Sequence, residues 1–261
     1  MKIGIIGVGI VGNAIKSGFE GTHEIFLHDP KLETTLRNVT DNTNFSYIAV
    51  PTPSNPSNGE CDISIIESIL KELPEGHNVV IKSTIIPGTT KLLEKKYPHL
   101  NIGCSPEFLR SATSEYDFKN QDILVVGTTN EYLADMVLEQ HKIAGVVNSD
   151  NFFHVTPTQA ELVKYAKNSF YAMKVIFANQ FHDLSEAMGE DWSVVKDIIT
   201  TPQEQIIGPS HLNSPSEVQR GYGGECLPKD TLALSSKLES MGIRYNLIEA
   251  IIRDNEELNN S

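Results

Sequence analysis

The chain has 261 residues, a formal net charge of −13, and 39% hydrophobic against 21% charged residues. That length buries a sizeable core in one or two domains, and the negative balance argues against nucleic acid or an anionic membrane surface as partner. Three widely spaced cysteines, Cys61, Cys104 and Cys226, fit reduced thiols in a cytoplasmic setting, not a disulfide framework. No Cys or His pair has ligand spacing, so no metal is expected. The N-terminus runs straight into a strand without a signal peptide, and no apolar run approaches a membrane span.

The first strand, Lys2–Gly7, leads into Gly7-x-Gly9-x-x-Gly12 and then a helical pattern through Ala14, Ile15 and Phe19. Glycines between a strand and a helix permit a tight turn and bring backbone N–H groups up to a pyrophosphate at the helix N-terminus. A second strand, Glu24–Asp29, ends in an acid placed to take the ribose hydroxyls of NAD and to disfavour NADP. Lys31, two residues on, tempers that preference. Further apolar runs follow at Ser46–Val50, Asn78–Lys82, Asn101–Cys104 and Asp122–Val126, with helical patterns at Ile63–Leu73, Thr89–Tyr97 and Tyr132–His141. This alternation predicts an α/β fold with a doubly wound, mostly parallel Rossmann-type sheet. Between Asp29 and Val50 the turn-like Thr40-Asp41-Asn42-Thr43-Asn44 leaves room only for a short helix, or none. The loop at 53–62, with Pro53, Pro56 and Gly59, reads as a connection inside this first domain.

The rhythm changes after Phe153. Thr156 is an N-cap with Pro157 at the first helical position, and the pattern continues through Leu162, Ala166, Phe170, Met173, Phe177 and Phe181 to about Met188. Helices follow at Trp192–Ile199, Asp230–Met241 and Tyr245–Leu258. We therefore divide the chain into a dinucleotide-binding domain, 1–153, and an all-α domain, 154–261. Leu162, Ala166, Met173, Ile176, Phe177 and Phe181 put more apolar surface on the long helix than one flanking domain covers, which predicts a homodimer through it.

The densest local signal is Gly223-Gly224-Glu225-Cys226-Leu227-Pro228-Lys229-Asp230. A cysteine behind paired glycines, with a cation close by, suits a thiolate nucleophile; it also reads as a turn followed by a core cysteine. Lys164 and Asn168 share a helical face with Glu161 one turn earlier, a pattern that taken alone more often marks a solvated surface. Thr84 ends a strand at the carboxyl edge of the sheet, where such folds bind ligands, and Glu107 follows the next strand.

Taken in order, Gly7–Gly12, Val50-Pro51-Thr52-Pro53, Lys82-Ser83-Thr84-x-x-Pro87-Gly88-Thr89, Pro106-Glu107-Phe108-Leu109-Arg110, Glu161-x-x-Lys164-Tyr165-x-x-Asn168 and the Cys226 segment resemble the UDP-glucose/GDP-mannose dehydrogenase family over nearly the whole chain. The resemblance implies oxidation of a sugar-nucleotide alcohol to a carboxylate, with two NAD reduced in succession and UDP-glucose the first substrate to consider. Cys226 would carry a thiohemiacetal and then a thioester. Lys164 and Asn168 would stabilise oxyanions, while Asp230, Thr84 and Glu107 would position or activate water, Glu107 as base. Gly7, Gly9, Ile10, Val11, Gly12, Asp29, Thr52, Ser83, Thr84 and Lys229 would line the cofactor site. Glu107, Phe108, Leu109, Lys164, Asn168 and Gly223 would face the substrate.

The chain departs from that pattern in four places. The family's third, nucleotide-holding domain is missing after Glu256, so a second chain is an expected source of it. The substrate-facing acidic segment between Asp29 and Val50 is absent. Ser111 stands where a second glutamate is frequent, and Ile206 where an arginine is expected, with Arg220 near enough in sequence to substitute. Two other readings stay open: a β-hydroxyacid dehydrogenase relative, and an NAD-binding dimeric partner subunit with little activity of its own.

Overall fold

The computed structural model describes residues 1–55, 59–147, 149–201, 208, 210–212, 220–242 and 246–260; Pro56, Ile206 and Tyr245 lie outside these. Two compact units divide the chain, Met1–Pro53 with Cys61–Lys164, and Ser54–Glu60 with Tyr165–Ser261.

The first unit is built on strands β1 (Lys2–Ile6), β2 (Glu24–His28), β3 (Phe45–Ile48), β4 (Asn78–Ile81), β5 (Asn101–Cys104), β6 (Leu124–Gly127) and β7 (Phe152–Val155). They form one seven-stranded sheet in the order β2-β1-β3-β4-β5-β6-β7. β1 to β5 pair in parallel, and β6 pairs in parallel with β7. The β5–β6 pair is antiparallel through Cys104 and Gly127, so the sheet is Rossmann-like and mostly parallel. β7 completes it beyond the 153/154 division drawn from the sequence. Its Phe152-Phe153-His154-Val155 run is only partly buried, and with a helix cap immediately after it the alternation gives no strand signal.

Why the strands read as continuous apolar runs is plain from their two faces. Ile3, Ile5, Phe45, Tyr47 and Val80 face helices α1 (Ile10–Phe19), α5 (Ser114–Lys119) and α6 (Glu131–Ala144) in one core. Ile6, Ile48, Val79 and Ile81 face α3 (Ser64–Glu72), α4 (Thr89–Lys96) and Ala160 in the other. Each such large side chain contributes about 1.5–3 kcal/mol on burial, so the two-sided sheet carries most of this unit's stability. The crossover after β2 is as short as expected: a 3-10 turn at Pro30–Leu32 and a single helical turn, α2 (Arg37–Thr40).

The second unit is helical. It holds α7 (Pro157–Met188, 32 residues) from Tyr165 onward, α8 (Trp192–Ile199), α9 (Leu227–Ser240) and α10 (Leu247–Asn259). Two small clusters hold it, one of Ala172, Ile176, Tyr222 and Ile251, the other of Ala178, Trp192 and Leu212. α7 starts as read: Thr156 Oγ1 accepts from Gln159 N at 3.3 Å while Gln159 Oε1 accepts from Thr156 N at 3.0 Å, a reciprocal cap. α9 begins at Leu227, three residues before the sequence start at Asp230. Pro228 reads as a breaker, yet in the first turn it removes no helical hydrogen bond.

Residues 54–60 belong to the helical unit and are not a connection within the first domain. Ser54 Oγ donates to Lys229 O at 3.1 Å. Gly59, at φ +69°, comes so near Leu232 that a Cβ would lie 2.8 Å from its carbonyl oxygen. No helix among the described residues is long and apolar enough to cross a membrane.

Two histidines are sealed into the sheet unit. His141 is fully buried against Phe19, Tyr47 and Phe118, and His77 is 1% exposed, with Nε2 2.8 Å from Ser46 Oγ. Burial pushes His141 down to about 3 and His77 to about 4. Between those values and the ordinary 6.5, the unfolded chain takes up protons that the folded chain refuses. Their contribution is therefore present above pH 6.5 and is lost as the pH falls toward 4, by roughly 2 kcal/mol each at pH 5. The carboxyl of Glu161, raised by burial, works with the opposite sign. Comparing variants isolates the histidine effect: the unfolding midpoint of His141→Gln should fall less between pH 7 and pH 5 than that of the unaltered protein. Parallel melting curves over that range would refute the assignment.

Candidate active site

The glycine turn after β1 has the shape its sequence implies. Gly7 has φ +90°, and a Cβ on it would lie 2.5 Å from Ala49 O. A Cβ on Gly12 would collide with the carbonyl oxygen of Gly7, whereas one on Gly9 would project into open space. Gly9 caps α1 with no side chain of its own, leaving backbone N–H groups at that helix end for a ligand. Ile10 is exposed and Val11 half-buried just beyond it. Asp29 ends β2, and its Oδ2 accepts from Val8 N at 2.7 Å while Oδ1 accepts from Lys31 N at 2.8 Å. These two backbone N–H groups, Val8 first, hold the carboxyl below its ordinary value. A carboxylate has about four acceptor positions, so capacity remains for ribose hydroxyls. An open cradle at a helix start with an acid at the next strand end fits NAD, which when bound supplies the hydride acceptor.

Thr52 and Ser83 lie at the same carboxyl edge. Thr52 Oγ1 donates to Thr84 O at 2.7 Å, and Ser83 Oγ to Val50 O at 2.7 Å. Cys61, which sequence reading gave no role, lies 3.9 Å from both Thr52 O and Thr84 O.

Lys164 and Glu107 meet in the first unit. Lys164 Nζ donates to Glu107 Oε1 and to Glu107 O, each at 2.8 Å, and Glu107 Oε2 accepts from Leu109 N at 2.6 Å. The Phe108 ring centroid is 6.0 Å from the same ammonium. Lys164 is only 4% exposed, so the solvated-surface alternative for this residue is wrong. Lys82, quoted in a motif but given no role, is a further buried cation, 3% exposed, with Nζ donating to Ser105 Oγ at 3.1 Å. Burial lowers it to about 8, with Glu107 acting to raise it and Lys164 to lower it. Nothing in the sequence signals that burial except the strand register, which turns residue 82 inward.

Asn168, Asp230 and Lys229 meet in the second unit. Asp230 is fully buried; it accepts from Asn168 Nδ2 at 2.5 Å on Oδ2 and from Lys229 Nζ at 2.7 Å on Oδ1. Asn168 is itself 7% exposed, so it too is interior. Lys164 and Asn168 stand one turn apart on α7. Cys226 is an exposed thiol at the cap of α9, preceded by exposed Gly223 and by Gly224 at φ +75°. It is not the core cysteine of the alternative reading. Arg220, offered as a substitute for the missing arginine, is held by Asp183 through Nη1–Oδ1 at 3.0 Å and Nη2–Oδ2 at 2.7 Å.

Comparison with known proteins supplies the class. Residues 22–144 match the NAD-binding domain, and residues 158–257 the central domain, of the UDP-glucose/GDP-mannose dehydrogenase family. The chain belongs to that family. It is 32% identical over 237 residues to the UDP-glucose 6-dehydrogenase of Rickettsia felis, covering 87% of this chain and 51% of that protein. It is 28% identical over 239 residues to the GDP-mannose 6-dehydrogenase of Pseudomonas aeruginosa, covering 85% of this chain and 53% of that one. The solved UDP-glucose dehydrogenase of Pyrobaculum islandicum superposes with a TM-score of 0.84 at 27% identity, covering 98% of this chain and 68% of that chain. The chain thus spans about half the length of the curated relatives it matches.

The Asp29 geometry carries a prediction. A carboxylate facing the adenosine ribose repels a 2′-phosphate, so NAD should bind about 10- to 100-fold more tightly than NADP. Asp29→Ala should narrow that gap and weaken NAD as well, since it also releases the Val8 N–H. Calorimetric titration of both cofactors decides it, and equal affinities in the unaltered protein would defeat it.

Proposed function

We propose that this chain is an NAD-dependent nucleotide-sugar dehydrogenase acting in the cytoplasm, which oxidises the C6 alcohol of a sugar nucleotide, UDP-glucose foremost, to a carboxylate. The observation that carries the reading is the exposed Cys226 thiol at the start of α9, with buried Asp230 one turn inside the same helix. A helix N-terminus favours an anion beside it, which suits a thiolate.

In this reading the alcohol first gives up a hydride from C6 and its hydroxyl proton, the proton passing to a nearby base, and becomes an aldehyde. The Cys226 sulfur adds to the aldehyde carbon, and the former carbonyl oxygen becomes the hydroxyl of a thiohemiacetal. Loss of hydride and of that hydroxyl proton leaves a thioester. Water then adds to the thioester, the C–S bond breaks, and the products are the carboxylate and the regenerated thiol. Lys164 and Asn168 stabilise the oxyanions, a role suited to a buried ammonium and a buried amide that need no reorganisation. Glu107, within reach of Lys164, acts as the base that activates water, and Thr84 and Asp230 order it. Phe108, Leu109 and Gly223 line the sugar end; Ile10, Val11, Thr52, Ser83 and Lys229 serve the cofactor.

On these 261 residues alone we expect ready NAD binding and weaker, poorly discriminating binding of the nucleotide, with a second chain as one source of further contacts. Contacts to the non-reacting part of a substrate orient the reacting part. Each charge-assisted bond to the diphosphate that this span does not make would cost about 1.5–3 kcal/mol. Titration of UDP-glucose and free UDP into the NAD-loaded protein measures this, and tight binding of free UDP would contradict it.

Assembly as a homodimer is part of the same reading, with the apolar surface of α7 redrawn. Met173, Ile176 and Phe177 pack within their own unit, while Phe170, Phe181, Leu184 and Met188 are exposed. Light scattering at micromolar concentration should give a dimer mass, and Phe170→Asp with Phe181→Asp should lower it; a monomer in the unaltered protein would rule the interface out.

The decisive measurement is cofactor reduction with UDP-glucose, set against GDP-mannose and UDP-N-acetyl sugars. Two reduced cofactors should appear per sugar. Cys226→Ala should lower acid formation roughly 1000-fold or more and leave NAD affinity intact. Acid formation at a normal rate by the alanine variant would exclude the covalent route.

A further inference from the structure

Glu161 lies one turn before Lys164 on α7 and is 3% exposed. Its carboxylate accepts three hydrogen bonds from α4 and the turn before it. Gly88 N donates to Oε2 at 2.6 Å, and Thr90 N and Thr90 Oγ1 donate to Oε1 at 2.7 Å and 2.6 Å. Gly88 is the cap of α4, lies at φ +98° and has no side chain to satisfy that helix end. Glu161 therefore supplies the missing cap from another helix.

Other contacts fix the same turn of α7. A Cβ on Gly127 would lie 2.5 Å from Ala160 Cβ and 2.9 Å from Pro157 Cα, so the helix start rests directly on β6. Cys104 Sγ lies 3.5 Å from Pro157 O. Side chains three apart on a helix share a face, so whatever fixes the rotation of Glu161 also fixes the direction of Lys164. The turn that Glu161 holds at Gly88 begins at Lys82 and carries Ser83 and Thr84.

We propose that Glu161 is a positioning residue: by capping α4 from α7 it sets the rotation that keeps the Lys164 ammonium on Glu107, and it ties the Ser83–Thr84 turn to the same helix. This rests on the dehydrogenase reading for its kinetic consequence, but not for its structural one. Glu161→Gln removes one acceptor oxygen and turns an NH2 group toward backbone donors. Thr90→Val removes a single donor and is the milder change should the first fail to fold.

A cap that served stability alone would lower the unfolding midpoint and leave the Lys164–Glu107 interaction as it was. A positioning residue weakens that interaction. The test is a double-mutant cycle of Lys164→Met and Glu107→Gln, measured by urea unfolding in the unaltered, Glu161→Gln and Thr90→Val backgrounds. We expect the Lys164–Glu107 coupling to fall by about half or more in both altered backgrounds; an unchanged coupling in either would overturn the proposal. Kinetics add a second readout, with kcat reduced about 100-fold in Glu161→Gln by misplacement of the reacting groups, and NAD affinity unmoved. Absence of any turnover in the unaltered protein would sink the dehydrogenase reading, while the cycle would still decide the role of Glu161.

Discussion

A charged group taken out of water must find its partner inside the protein, and α7 is arranged around that constraint. Three successive polar positions on one of its faces, Glu161, Lys164 and Asn168, are all nearly or fully buried. Each is matched by a different element: α4 and its preceding turn, the segment after β5, and α9. Stranding a buried charge by removing one partner costs about 3–5 kcal/mol, far more than a solvated surface pair contributes. Within the first unit, the start of α7 therefore cannot rotate without breaking the Glu161 and Lys164 matches together. Holding groups in fixed geometry is what catalysis asks of a scaffold, and a helix anchored by paired charges meets that demand without added parts.

The share of this that could be read from the sequence follows from how local each cause is. The glycine turn, the Thr156–Pro157 start and the length of α7 depend on neighbours a few residues away, and they stand as read. Burial of Lys164, Asn168 and Lys82 depends on elements far along the chain, so a Lys–Asn pair four apart could not be told from a wet face. β7 escaped because Phe152-Phe153-His154-Val155 is half-exposed at the sheet's edge and lacks alternation. The start of α9 escaped because proline has opposite meanings in a first turn and in a helix interior. Residues 54–60 looked like a simple connection since proline and glycine mark turns, and only the close approach of Gly59 to Leu232 reveals their attachment to the helical unit.

Two buried cations among the described residues, Lys82 and Lys164, lie in the first unit. The molecule carries a net charge of −13, yet Lys82 and Lys164 are buried at the carboxyl end of the sheet beside Glu107, with the buried carboxyl of Glu161 one turn from Lys164. Buried ion pairs are a poor choice for stability alone, since apolar replacements of similar volume are frequently neutral or better. In the proposed reaction, fixed cations shielded from water would stabilise negative charge developing on oxygen more than mobile ones do.

The Cys226 segment illustrates how one helix start can hold two chemistries at fixed spacing. Gly224, at φ +75°, lets the chain turn into α9, and Pro228 begins the helix without leaving an N–H unsatisfied. Cys226 stands at the cap, open to solvent, where the helix end favours negative charge. Four residues later the backbone has completed one turn, Asp230 N donating to Cys226 O at 2.8 Å, and the side chain at that level points into the protein. Asp230 is buried there, paired with the Lys229 ammonium and hydrogen-bonded by the Asn168 amide. A thiol and a carboxyl group one turn apart on the same helix thus differ in solvent access through what packs against each level: Asn168 and Lys229 cover Asp230, whereas Cys226 stands at the exposed helix start.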